Sequence, residues 1–141
     1  MKGMEMAYFL AKTDPETYSV RELARDKRTV WDGVTNAQAV NFIKTMKLGD
    51  RVFVYHSGGE SAVVGLAEVV SVPKPDAKNP KSWVVGLEFL QNLEPPTSLA
   101  EIRASSLFSD WLLIRNSRLS TMAAPDSFVN WMRSRYPKAK L

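Results

Sequence analysis

Cysteine is absent from the chain, which excludes disulfides, thiol nucleophiles and thiolate metal sites. Histidine occurs once, as His56, so no His-rich metal site can form and no spare imidazole exists for a Ser-His-Asp arrangement. No apolar run approaches the roughly 20 residues of a membrane helix. Neither a P-loop nor a G-x-G-x-x-G sequence occurs. Ser57-Gly58-Gly59 is not a G-x-S-x-G elbow, because the serine precedes both glycines. Met1 to Met6 lack the apolar stretch of a secretory signal. These absences lead to the expectation of a soluble cytoplasmic domain with no metal, no cofactor, no membrane partner and no enzymatic activity.

What is present is ordinary for one globular domain. The 141 residues are 45% hydrophobic and 24% charged, enough to bury a core and too few for two domains. Residues 1–141 are therefore read as a single domain, with residues 1–5 and 137–141 as flexible tails. The net charge of +4 is unevenly placed. Arg133, Arg135, Lys138 and Lys140 fall in an acid-free C-terminal stretch, and the rest of the chain is balanced. A nucleic-acid footprint must then be a local patch plus this basic end, although such ends are more often plain solubilising tails than binding elements.

The pattern predicts an α+β fold. Ala7–Lys12 is an apolar, aromatic strand closed by Asp14-Pro15. Ser19 and Glu22 have capping-box spacing and predict a helix over Val20–Asp26. Thr29–Trp31 is a short extended segment ended by Asp32-Gly33. Ala39, Val40, Ile43 and Met46 repeat at helical spacing, predicting a helix over Asn36–Met46 with Gly49 as its left-handed end. Arg51–His56 and Ala62–Val72 read as a hairpin about Ser57–Glu60, with Gly65 marking a bulge. Pro73–Pro80 reads as a loop and Trp83–Leu90 as a strand. Ser98 and Glu101 predict a helix over Leu99–Ala104. Arg118–Met122 reads as the last strand, and Pro125-Asp126 opens a helix packed through Phe128, Trp131 and Met132. Five or six strands with three or four short helices favour a closed or nearly closed barrel.

Aromatic and amide residues gather at strand ends and turns. Trp31 sits before a turn and a helix start, where an indole can stack on a base and free amides can hold a phosphate. Asn36, Gln38 and Asn41 carry amides that can read a base edge. The same residues also read as a core tryptophan and a helix cap. Tyr55-His56-Ser57 ends a strand before a glycine turn, and reads as pocket lining or as a buried tyrosine beside a surface histidine. Arg115, Arg118 and Ser120 flank Leu119, where the arginines can clamp phosphates or stay solvated.

These segments, in this order, resemble the EVE domain over about Ala7 to Trp131. The likeness is carried by Tyr8–Pro15, Tyr18-Ser19, Trp31–Val34, Asn36, Gln38, Ala39 and Asn41. Met46–Asp50, Tyr55–Ser57, Val64–Val69 and Arg118–Ser120 continue it. The chain departs from the family at Lys12-Thr13-Asp14-Pro15, where Lys-Ser-Glu-Pro is usual, and at Thr35, where arginine is usual.

The resemblance implies a PUA-like β-barrel, related to the YTH and SRA domains, that reads a modified base in DNA or RNA. Modified cytosine in DNA is the leading candidate. It implies Trp31 as a cage wall, with Lys12, Thr13, Asn36, Tyr55, His56 and Ser57 lining the pocket. Arg115, Leu119 and Ser120 lie at the edge, and Trp83 is a second wall. A separate protein partner would supply any downstream activity. Two other functions remain open. One is an amidohydrolase resembling ASCH domains, using Lys12, Thr13 and Glu68 on a modified nucleoside. The other is an interaction module whose pocket holds a small metabolite.

Overall fold

The computed structural model describes residues 6–141. In chain order the elements are β1 (Tyr8–Thr13), α1 (Val20–Asp26), β2 (Arg28–Trp31), α2 (Ala37–Lys44), β3 (Arg51–His56) and β4 (Ala62–Val69). They continue with β5 (Lys74–Asp76), β6 (Asn79–Ser98), α3 (Leu99–Ala104), α4 (Leu112–Arg115), β7 (Thr121–Ala123) and α5 (Asp126–Arg135). No helix among the described residues is long and apolar enough to cross a membrane.

The local signals that fix helix starts are satisfied as written in the sequence. Glu22 N donates to Ser19 Oγ at 3.2 Å and Ser19 N donates back to Glu22 Oε1 at 2.8 Å, so α1 begins in a reciprocal capping box. Ser98 and Glu101 repeat the device at α3. Helix α2 stops at Lys44, before Met46, with Thr45 as its C-cap. Gly49, at φ +91°, turns the chain into β3 instead of ending the helix.

The sheet runs in the order β2-β6-β4-β3-β1-β7, with β5 paired to β6 as a side hairpin. It is mixed: β1 lies parallel to β3, and the other pairs are antiparallel. The central strands β3 and β4 are buried along most of their length, which explains their near-continuous apolar sequences. Phe53 of β3 meets Phe128 of α5 edge to face at 5.3 Å, and Trp111 lies 4.5 Å from the same phenylalanine, so α5 docks through an aromatic cluster. Fully burying each such ring stabilises the fold by roughly 1.5–3 kcal/mol.

Several expectations are corrected. Seven strands and five helices form among the described residues, one more of each than the upper expectation. The sheet is not closed: no pair joins β2 to β7 among the described residues, and its two edges are these short strands. Strand β6 is 20 residues long where Trp83–Leu90 was expected, because it bends through irregularities in its pairing with β4. Its prolines Pro80, Pro95 and Pro96 concealed that continuity in the sequence. Part of the expected Pro73–Pro80 loop forms β5. The last strand is displaced to Thr121–Ala123.

Gly65 does sit at a bulge, where the β4–β6 register shifts. The C-terminal residues expected as a flexible tail lie along the sheet. Lys140 N donates to Gln91 Oε1 at 2.6 Å, and its carbonyl accepts from Arg51 Nε at 3.2 Å. The other expected tail, residues 1–5, lies outside the described residues.

Candidate functional site

The parallel pairing of β1 with β3 sets Lys12 beside Tyr55 and Thr13 beside His56. Two sequence segments more than forty residues apart thus end side by side. Ser57 N donates to Thr13 O at 3.0 Å, and Lys12 N donates to Ser120 O at 2.8 Å, which brings the chain before β7 to the same corner. Lys12 Nζ donates to Ser117 O at 2.9 Å and lies 5.5 Å from the Tyr55 ring centre. Burial lowers the Lys12 ammonium below the ordinary lysine value. Burial also raises the Tyr55 phenol, with Ser61 and Arg103 opposing.

Next to this corner a cleft of about 320 Å³ opens between the ends of β1 and β2. Its walls are Thr13 from β1, Thr17 and Tyr18 ahead of α1, and Thr29–Asp32 from β2 and its turn. Tyr18 meets Trp31 edge to face at 6.5 Å. Tyr18 Oη donates to Asp26 Oδ2 at 2.8 Å, and Thr13 Oγ1 donates to Tyr18 O at 2.7 Å, so both walls are held from behind. Asp32 is exposed at the rim. The cleft joins two aromatic rings, three threonine hydroxyls and one carboxylate in a volume at the lower end of small-ligand sites.

The expected site residues divide accordingly. Thr13 and Trp31 line the cleft, while Lys12, Tyr55, His56, Ser57 and the backbone of Ser120 form the adjoining corner. Trp31 is 7% exposed and belongs to the hydrophobic core as well as to the cleft wall. His56 has a positioning role: its Nε2 accepts from Val20 N at 3.0 Å, anchoring the start of α1 behind Tyr18.

Four residues depart from their expected places. Asn36 caps α2, its Oδ1 accepting from Ala39 N at 3.0 Å. Leu119 is core, 1% exposed. Trp83 lies under Lys44 Nζ at 5.0 Å and does not line the cleft. Arg115 is exposed at the end of α4 and is absent from the cleft walls. Tyr18, Thr17, Thr29, Val30 and Asp32 were not anticipated as site residues. Tyr18 and Asp32 do stand within the motif segments, which was the signal available.

The Lys12–Glu68 pairing required by an amidohydrolase does not form. Glu68 lies opposite Arg51 and its Oε1 is 3.6 Å from Arg51 Nη1, while Arg51 lies opposite Tyr8. Four residue steps of β1 separate Tyr8 from Lys12, about 13 Å along the strand. Among the described residues, no group of three or more His, Cys, Asp or Glu side chains gathers to hold a metal.

The family model of the EVE domain matches residues 7–135, and the chain belongs to that family. Human thymocyte nuclear protein 1 is 32% identical, with 70% of this chain and 56% of that protein covered. The rat protein is 33% identical, with coverages of 68% and 55%. The chain thus spans about half the length of these curated relatives.

Among solved structures, a hypothetical protein from Leishmania major superposes with a TM-score of 0.86 at 29% identity, covering 95% of this chain and 97% of that one. Human THYN1 in complex with 5-methylcytosine-containing DNA superposes with a TM-score of 0.83 at 27% identity, covering 94% and 99%. An ASCH protein from Zymomonas mobilis, at 14% identity and a TM-score of 0.62, shares the fold alone.

Proposed function

We propose that this chain binds nucleic acid by taking a modified base, 5-methylcytosine in DNA foremost, into the cleft between β1 and β2. The observation that carries the reading is that cleft, with Trp31 and Tyr18 set edge to face above threonine hydroxyls and beside Asp32. The solved human relative bound to 5-methylcytosine-containing DNA supports the ligand class.

Extracting a base from a stack costs a few kcal/mol. Contact with the aromatic walls offsets this, at roughly 1–3 kcal/mol per stacked base. The Asp32 carboxylate accepts from the exocyclic amine of cytosine, a group that thymine replaces with a carbonyl. A methyl group buried against Val30 and the threonine methyls adds about 0.8 kcal/mol, so preference for the methylated base is modest. Lys12, whose charge is partly desolvated, stands next to Thr13 of the cleft wall and supplies a cation at the adjoining corner. The chain acts as a binding module without turnover, and a separate protein converts recognition into an outcome.

The test is a fluorescence-anisotropy panel of short DNA and RNA oligonucleotides carrying cytosine, 5-methylcytosine or thymine at one position. Tightest binding to 5-methylcytosine in DNA, with thymine weakest, is the expected order. Equal affinity for all three bases overturns the reading.

A further inference from the structure

The cleft has a neighbour on the other side of β2. A groove of about 530 Å³ lies between β2 and the β5–β6 hairpin, with Arg28, Val30, Ser71, Lys74 and Gly86 in its walls. Thr29 and Val30 line both the groove and the cleft, so the two are separated by one strand edge. Val30 lines both and is 60% exposed, so its methyl groups are open to contact from either side.

The polar groups of the groove are available. Ser71 Oγ accepts from Gly86 N at 2.7 Å, an approach open because residue 86 is glycine; a Cβ there would lie 2.7 Å from the same oxygen. The Ser71 hydroxyl hydrogen has no acceptor among the described residues, which leaves it to donate outward. Lys74 is exposed and makes no ion pair among the described residues. Arg28 reaches Glu88 through Nη2 alone at 3.4 Å, which leaves its remaining donors open. No acidic side chain is among the groove walls.

An apolar side chain beside the cleft, followed by two cations and a free hydroxyl donor, suits a nucleic-acid strand passing from cleft to groove. Phosphates take cations and hydroxyl donors. Apolar side chains wedge between base steps. We propose that the groove holds the nucleotide adjoining the one whose base enters the cleft. Its phosphodiester lies among Lys74, Arg28 and the Ser71 hydroxyl, and Val30 stands between the two bases. This inference rests on the base-reading function and adds the course of the strand.

The experiment compares 5-methyl-2′-deoxycytidine, which has no phosphate, with a single-stranded trinucleotide carrying that residue at its centre, both titrated by NMR. Wild type is expected to bind the trinucleotide about tenfold more tightly than the nucleoside. Lys74→Glu removes most of that gain and leaves nucleoside affinity unchanged. Lys74→Gln falls between wild type and Lys74→Glu and weakens the salt dependence of trinucleotide binding, as the loss of a phosphate contact requires. Trinucleotide affinity untouched by Lys74→Glu overturns the groove while leaving the base reading intact. An equal loss for both ligands also overturns it, because Lys74 would then act through the cleft. Wild type that binds neither ligand overturns the groove and the base reading together.

Discussion

His56 Nε2 accepts a 3.0 Å hydrogen bond from the backbone amide of Val20, tying the end of β3 to the first residue of α1. An accepting ring nitrogen carries no proton, so this imidazole is neutral with its hydrogen on Nδ1. Burial lowers its pKa below the ordinary 6.5. Between the lowered folded value and 6.5 the unfolded chain binds more protons than the folded one. Stability from this group is therefore complete above 6.5, falls as pH drops through that window, and levels off below the folded pKa. Urea midpoints near pH 8 and pH 5 check this, the lower midpoint being expected in acid. His56→Gln keeps an acceptor that does not titrate and should flatten the difference. A difference undiminished in that variant would assign the pH dependence to other groups.

The same helix start is pressed against Gly65. A Cβ at that position would lie 2.6 Å from Val20 Cγ2 and 3.3 Å from Gln91 O. Gly65→Ala therefore overpacks the contact and should cost about 1–3 kcal/mol in equilibrium unfolding. Adding Val20→Ala removes the clashing methyl, and the double variant should recover part of that loss. No recovery would place the strain at the Gln91 carbonyl.

Trp31 serves both the core and the cleft, so its truncation cannot test binding alone. Trp31→Ala should cost about 3–5 kcal/mol of stability. Trp31→Phe retains an aromatic wall and is expected to fold, with modified-base affinity reduced severalfold. A Trp31→Ala protein with wild-type thermal stability would contradict its burial.

The C-terminal lysines follow from the geometry in a direction opposite to the charge pattern. Lys140 is tied to Arg51, at the end of β3 remote from Tyr55 and the cleft. Beyond a Debye length of about 8 Å at physiological salt, exposed charges are largely screened. Lys138→Gln with Lys140→Gln should leave oligonucleotide affinity and its salt slope unchanged. A flattened slope would bring the C-terminus into the interface.

Much of this was legible because its causes are local. Ser19 with Glu22, and Ser98 with Glu101, announce helix starts through bonds spanning three residues. The apolar runs of β3 and β4 announce central strands. Long-range pairing has no such signature: nothing in Lys12-Thr13 states that it lies parallel to Tyr55-His56. The motif segments identified that corner, yet local sequence does not distinguish a capping Asn36 from a base-reading one. Tyr18 and Thr29 entered the cleft through the meeting of α1 and β2, residues whose types are unexceptional anywhere else.

The most direct measurement follows the indole N–H signals of the chain's four tryptophans during titration with 5-methyl-2′-deoxycytidine. Trp31 borders the cleft, whereas Trp83, Trp111 and Trp131 lie elsewhere and serve as internal controls. A saturable shift of the Trp31 signal is expected, with the other three unmoved. A shift confined to Trp83, Trp111 or Trp131, or none at saturating ligand, would contradict it.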